Sequence, residues 1–131
     1  MSLALERAQG IVSRAHFRAQ ELGVRVTVAV VDEGGLLKAL GRMDGAPPLS
    51  AQIAEGKAVG AALWHRSGEQ LLDVQRERAP FFAAVDRMVR VPMVAGPGSL
   101  LIKDGEAVVG AVGVSGALPE QDRDCAQAGL S

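Results

Sequence analysis

The pattern of apolar and polar positions divides the chain into helical and extended segments. Between Leu3 and Leu22 apolar residues recur every three or four positions, which is the spacing of one helical stripe, and Gly23 is placed to end that helix. The stripe consists of Leu5, Ala8, Val12, Ala15, Ala19 and Leu22. Val24 to Val31 is rich in β-branched residues, and Asp32-Glu33-Gly34-Gly35 separates it from the run Leu36 to Leu40. The pattern predicts a helix followed by a β-hairpin.

The middle of the chain is predicted to be helical. After Ala46-Pro47-Pro48, Ser50 is suited to be the N-cap of a helix that continues through His65. One side of this helix carries Ile53, Lys57, Gly60 and Trp64. Its other side is mostly alanine, so we expect it to lie close to a sheet or to another subunit.

A second, shorter helix is predicted next. Glu69 to Arg78 is charged and weakly periodic, which indicates an exposed helix ended by Ala79-Pro80. Phe81 and Phe82 follow and are expected to anchor it to the core.

The last third is predicted to form strands and a closing helix. Val89 to Ala95, Leu100 to Ile102 and Glu106 to Ser115 are strand candidates, and Asp104-Gly105 is a strong hairpin signal. Pro119 can then begin a final helix that ends near Gly129. The order of elements predicts a single domain over residues 1–131, of the α+β class, with an antiparallel sheet of about five strands flanked by helices.

The composition of the chain limits the classes of partner that it is expected to bind. The 131 residues include 14 basic and 15 acidic side chains, for a net charge of −1, and aromatic residues make up 3%. Without a basic stripe or stacking platforms, nucleic acid is not expected as a partner. No apolar run approaches the ~18 residues of a spanning helix and the first residues lack a signal peptide's apolar region, so we expect a cytoplasmic protein without a membrane partner. A lone Cys125 and the absence of zinc-type spacing predict no metal site.

The first candidate for chemistry is an anion site. Arg42 and Asp44 lie where the second strand runs into the proline loop, and Lys57 lies two turns into the following helix. We expect the three to line one pocket that holds a small carboxylic acid, since an arginine binds carboxylates through two parallel hydrogen bonds. The alternative is that Arg42 and Asp44 form a surface pair and that Lys57 is solvated.

A second candidate is the end of the last strand. Its glycines, Gly113 and Gly116, run into the helix that begins near Pro119, and a helix N-terminus can receive an anion. The acidic residues in that first turn favour the opposite interpretation, because they already occupy the positive end of the helix dipole.

Haem ligation has few candidate residues. The conceivable axial ligands are His16, His65, Met43, Met88, Met93 and Cys125. A lone helical histidine is more commonly structural or solvated, and Cys125 is most simply a core residue.

Five segments taken together resemble the GlcG/HbpS family of haem-binding-type proteins. They are Val28–Gly35, Arg42–Ala46, Ile53–Ala58, Asp104–Gly116 and Glu120–Asp122. The resemblance implies a profilin-like α-β-α domain, a homo-oligomer, and members that bind haem. Carried onto this chain, the family's ligand-binding positions are Asp32, Arg42, Asp44, Lys57, Gly113, Ser115, Gln121 and Asp122. This chain departs from the family's Gly-Gly-x-Pro-Ile segment, because it has Ala95-Gly96-Pro97-Gly98-Ser99-Leu100 there.

Two functions are consistent with this resemblance. The first is a homo-oligomeric protein that binds a small anionic or haem-like ligand, with haem bound weakly and not needed for folding. The alternative is a cofactor-free enzyme acting on a small carboxylate or carbonyl compound, in which Arg42 holds the anion and Lys57 or Asp44, the candidate catalytic residues, moves a proton.

Overall fold

The computed structural model describes residues 2–131 as one layer of sheet between helices. The elements in chain order are α1 (Leu5–Leu22), β1 (Thr27–Asp32), β2 (Leu37–Arg42), α2 (Leu49–Trp64), α3 (Gly68–Glu77), α4 (Ala79–Asp86), β3 (Ser99–Asp104), β4 (Ala107–Ser115) and α5 (Pro119–Gly129). The strands form one sheet in the order β2-β1-β4-β3, and each neighbouring pair is antiparallel. The predicted α+β class is confirmed.

The register of the central strands assigns their side chains to the two faces of the sheet. Thr27 of β1 lies opposite Arg42 of β2 and Ser115 of β4, so alternate residues share a face across all three strands. Val28, Val30, Val112 and Val114 pack with α1 and α5 in one core cluster. The opposite face carries Val31 and Ala111, which pack with α2 in a second cluster.

The first helix forms as its spacing predicts. Gly23 ends α1 in the left-handed conformation (φ 71°), where its N–H and that of Val24 reach the last carbonyls of the helix. On α1 the fully buried positions are Ala8, Ile11, Ala15 and Ala19, whereas Leu5 is half exposed. The stripe is therefore rotated slightly from the predicted one.

The predicted strand Val89–Ala95 is wrong, and the sheet has four strands instead of about five. This segment crosses α2, where the Val94 N–H donates to the Gly56 carbonyl at 3.1 Å. A Cβ on Gly56 would lie 2.7 Å from the Pro92 carbonyl oxygen, so the missing side chain is what allows the contact. Its β-type sequence is extended but packs on a helix and pairs with none of the four strands.

Two predicted helix boundaries also change. Ser50 lies inside α2, one residue after its start, where its hydroxyl contacts Thr27 and the Pro47 carbonyl instead of capping the helix. Pro80 lies in the first turn of α4, which begins at Ala79, because proline is tolerated in the first turn of a helix. Phe82 of α4 is buried and stacks on Trp64 with ring centroids 5.7 Å apart.

Within the described residues, no helix combines the length and apolar character needed to span a bilayer.

Candidate functional site

The main buried polar contact joins the two helical layers past one end of the sheet. Lys57 of α2 is 7% exposed, and its Nζ donates to the Val114 carbonyl oxygen at 2.8 Å and to Asp122 Oδ2 at 3.2 Å. Asp122 lies in the first turn of α5, on the other side of the sheet, and its Oδ1 accepts from the Ala117 N–H at 3.0 Å. The ion pair therefore connects α2 with α5 around the end of β4.

Two glycines make room for this contact. A side chain on Gly113 would collide with the Ala54 carbonyl and lie 2.7 Å from the Ala58 nitrogen, so α2 rests on bare β4 backbone there. Gly98 precedes β3 with φ 117°, and a Cβ at this position would lie 2.8 Å from Lys57 Nζ. The loop that departs from the family's pattern thus borders the buried lysine.

The electrostatics of the pair reflect its burial. Burial raises the pKa of the Asp122 carboxyl above its ordinary value, and the Lys57 charge and the Ala117 N–H oppose that shift. Both side chains are at most 9% exposed, so water has little access to either of them. The ammonium already donates two hydrogen bonds, so the geometry fits a structural cation better than a proton carrier in an open cleft.

The structure does not bring Arg42 and Asp44 to Lys57. Both are exposed at the same end of the sheet, and neither forms an ion pair or a side-chain hydrogen bond with residues 2–131. Thr27 lies between Arg42 and β4, and its hydroxyl meets that of Ser50 at 2.8 Å under α2. This buried hydroxyl pair separates Arg42 from the lysine, and no Arg42–Asp44 surface pair forms either.

The other family positions have identifiable local roles. Asp32 Oδ1 accepts from the Gly34 and Leu36 N–H groups and so shapes the β1–β2 turn at the far end of the sheet. Gln121 Oε1 accepts from the Leu118 N–H at the start of α5. Ser115 is buried beside Thr27 in the register of β1 and β4. Lys57, Gly113, Ser115 and Asp122 thus share the end of β4.

Three of the conceivable haem ligands are inside the core. Met43 and Met93 are buried, and the Met43 sulfur accepts from the Val26 N–H. Cys125 is fully buried, and burial raises the pKa of its thiol to about 11. None of the three reaches a surface groove. Among the described residues there is also no cluster of three or more histidine, cysteine or acidic side chains that could hold a metal ion.

His16 lies beside a groove on the opposite side of the sheet from α2. The groove has a volume of about 360 Å³, lies between α1 and β2, and is lined by Gln9, Val12, Ser13, Lys38, Ala39 and Leu40. His16 is half-buried one turn further along α1, and its Nε2 is 2.8 Å from the Gly41 carbonyl oxygen. A Cβ on Gly41 would lie 2.6 Å from the imidazole, so glycine at this position admits the ring. His65 and Met88 are exposed elsewhere.

Sequence reasoning missed two of these contacts. The Thr27–Ser50 hydroxyl pair joins residues 23 positions apart, and Ser50 resembles a helix cap when it is considered alone. Gly41 is an undistinguished glycine in the sequence, yet it creates the space for His16. The position of Gly41 in the sequence does not indicate its contact with His16, because that contact depends on how α1 crosses β2.

Comparison with known proteins agrees with this fold. A family model described as "Haem degrading protein HbpS-like" matches residues 3–131. The chain belongs to this HbpS-like family. Protein GlcG of Escherichia coli strain K12 is 32% identical over 113 residues, which cover 86% of this chain and 81% of GlcG. The resemblance to the GlcG/HbpS family is thus confirmed.

Solved structures of HbpS-like proteins superpose over nearly the whole chain. An HbpS double mutant from Streptomyces reticuli is similar with a TM-score of 0.87 at 29% identity, covering 99% of this chain and 86% of that one. The crystal structure of a PduOC–heme complex is similar with a TM-score of 0.86 at 28% identity, covering 99% of this chain and 94% of that one.

The relationship to one curated enzyme is partial. The corrinoid adenosyltransferase PduO of Citrobacter freundii is 28% identical to this chain over 131 residues, and this chain spans 39% of its length. The similarity therefore concerns one portion of that enzyme. Haem is named in the description of the family and in the PduOC–heme complex.

Proposed function

We propose that this protein binds haem as a homo-oligomer, in the groove between α1 and β2, with His16 as the iron ligand. The observation that carries the proposal is the position of His16, a half-buried imidazole at the edge of a surface groove. Met43, Met93 and Cys125 are buried in the core, whereas His65 and Met88 are exposed. Val12, one turn before His16 on α1, and Leu40, next to Gly41 on β2, both line the groove.

The side chains around the groove suit the parts of a haem. Val12 and Ala39 offer apolar contact to a macrocycle, and the Lys38 ammonium offers a partner for a propionate. Bound haem supplies an iron centre whose reactivity depends on its axial ligand and its surroundings.

The same geometry supports weak binding. Haem iron takes an imidazole nitrogen, and His16 Nε2 already contacts the Gly41 carbonyl, so ligation through Nε2 gives up a hydrogen bond worth about 1 kcal/mol. The groove is open and lacks aromatic residues on its walls. Because the core clusters are complete without a ligand, folding is expected to be independent of haem.

Self-association is the second part of the proposal. Exposed leucines concentrate at the edge strand β2 and at the neighbouring part of α2, namely Leu36, Leu37, Leu40 and Leu63. An exposed apolar patch of this kind is typical of a protein interface. A second copy covering β2 would also enclose the groove, since Leu40 belongs to both surfaces.

Haem titration followed by absorbance tests the ligand assignment. We expect a Soret shift in the wild type, and a loss of at least tenfold in affinity in His16→Ala. His65→Asn is the matched control, because His65 is exposed and asparagine tolerates its left-handed backbone (φ 53°). Equal titrations in wild type and His16→Ala would contradict the assignment, and so would a loss confined to His65→Asn.

Light scattering coupled to size exclusion tests self-association. We expect an assembly of several 13.6 kDa chains at micromolar concentration, and dissociation in Leu37→Lys/Leu40→Lys. Only monomers of the wild type would refute this part of the proposal. A circular dichroism spectrum that is folded only with haem would refute the independence of folding from haem.

A further inference from the structure

A second groove lies on the α2 side of the sheet, away from His16. It has a volume of about 400 Å³ and runs between the first half of α2 and the extended segment that crosses it. Its lining residues are Gln52, Ile53, Glu55, Val91, Pro92 and Val94. The volume is within the usual range for small-molecule sites, and the walls are mainly aliphatic.

The crossing segment lies against α2 at two glycines. Gly56 allows the Pro92 carbonyl to approach the helix, and the Val94 N–H donates to the Gly56 carbonyl. At Gly60, one turn later, an added Cβ would lie 3.4 Å from the Met93 Cβ. Gln52 and Ile53, one turn before Gly56, line the groove, so the groove lies on the N-terminal side of these contacts.

Glu55 is the one charged side chain among the residues that line this groove. It is half-buried, and its carboxylate forms no ion pair and no side-chain hydrogen bond with residues 2–131. The groove thus combines an apolar interior with one unpaired carboxylate and no basic side chain.

From this charge and shape, we infer that the groove binds an alkylammonium group, with the cation at Glu55 and the hydrocarbon along Ile53 and Val94. An ammonium has three donors and no acceptor, which matches the unpaired Glu55 carboxylate. A carboxylate ligand is excluded by repulsion from Glu55. Both a free aliphatic amine and the lysine side chain of an extended protein segment carry this group.

Calorimetry with hexylammonium chloride tests the inference on the whole chain. Hexylammonium is expected to bind, and sodium hexanoate, which has the same chain length and the opposite charge, is not. Glu55→Gln should weaken hexylammonium binding by about fivefold, the effect of one partly exposed ion pair. Glu106→Gln, at an exposed position in the β3–β4 hairpin, is the matched control and should leave the affinity unchanged.

A second variant acts in the opposite direction. Gln52→Glu adds a carboxylate to the same wall of α2 and should tighten hexylammonium binding. Absence of binding to the wild type, or equal affinities in wild type, Glu55→Gln and Gln52→Glu, would overturn the inference. Haem titration of Glu55→Gln separates this site from the His16 groove, because the two lie on opposite sides of the sheet.

The source of the ammonium group is resolved by a third ligand. A blocked pentapeptide with a central lysine presents the same cation together with backbone donors and acceptors for the Val91–Val94 segment. Tighter binding of the peptide than of hexylammonium would assign the groove to a protein segment, and tighter binding of hexylammonium would assign it to a free amine. Failure of both to bind would refute the site.

Discussion

The two sides of the sheet are packed by different means. Towards α1 and α5 the sheet presents valines, and the helices meet them with alanines and with Ile11. Towards α2 the sheet presents Ala111 and Gly113, and the helix presents Ala54, Ala58 and other small residues. The first side is thus packed through side chains, whereas on the second the backbones of α2 and β4 come into direct contact at Gly113.

This difference predicts opposite sensitivities. A side-chain core loses stability when a methyl group is removed, because a cavity remains. A layer in which a helix rests on backbone loses stability when a methyl group is added, because no rotamer change can relieve the overlap. Single-carbon substitutions on the two sides should therefore give distinct results.

The largest effect is expected for Gly113→Ala. The new Cβ would collide with the Ala54 carbonyl on α2, so the helix must move away from the sheet. We expect the free energy of unfolding to fall by more than about 3 kcal/mol, the upper end for overpacked cores. Urea denaturation measures the loss. Gly10→Ala is the control, because its Cβ would meet only the end of the Arg14 side chain, at 3.1 Å from Nη1, and alanine favours the helix by up to ~1 kcal/mol.

Lys57→Met should have the next largest effect. It leaves the buried Asp122 carboxyl without its cation, which we expect to cost about 3 kcal/mol of unfolding free energy. The double variant Lys57→Met/Asp122→Leu removes both charges and should recover part of that loss. Asp124→Asn breaks an exposed pair with Arg18 and should cost less than about 1 kcal/mol. Equal losses in Lys57→Met and Asp124→Asn would show that burial does not distinguish the two pairs.

The pH dependence of stability gives a smaller signal from the same pair. Burial raises the pKa of Asp122 above its ordinary value of 3.8, so the native state keeps this proton at pH values where the unfolded chain has lost it. Its contribution to the free energy of unfolding is fully present below pH 3.8 and is lost as the pH rises through the raised pKa. Urea denaturation of wild type and Asp122→Asn between pH 3 and 7 measures the contribution of Asp122 to the free energy of unfolding. A wild-type advantage that grows with pH would contradict it.

The smallest effect is expected for Ile11→Val on the α1 side. Ile11 is 1% exposed, and removing one methylene from it should cost about 1 kcal/mol. Comparing the free energies of unfolding of Ile11→Val and Gly113→Ala then shows the effect of removing one carbon from the α1 side and of adding one carbon on the α2 side. A loss in Ile11→Val as large as that in Gly113→Ala would mean that the two sides are packed alike.

Most of the fold could be predicted from local signals. Apolar periodicity located α1, and Asp104-Gly105 located the last hairpin, because both features depend on neighbours in the sequence. Val89–Ala95 was predicted incorrectly because its alternating valines describe an extended conformation and carry no information about its partner. Its packing partner is α2 at Gly56, and this contact depends on the tertiary structure.

The candidate site was less accessible to prediction. The resemblance to the GlcG/HbpS family placed Lys57 and Asp122 among the same ligand-binding positions, and the structure shows that they form an ion pair. The expected grouping of Arg42 and Asp44 with Lys57 rested on a shared end of the sheet. It did not account for the Thr27–Ser50 contact, which places buried hydroxyls between them. Side-chain direction, rather than position along the chain, decided the outcome.

The pairing of β1 with β4 has a consequence for how the protein folds during its synthesis on the ribosome. Thr27 is aligned with Ser115, a residue made 88 positions later. At the usual rate of about 5–20 residues per second, β1 waits about 4–18 s for its central neighbour. During that interval the valines of β1 can pack only on β2, α1 and, once it has been made, α2, because β4 and α5 are still missing. Chaperone dependence during synthesis should therefore be greatest while the segment between β2 and β4 is being translated.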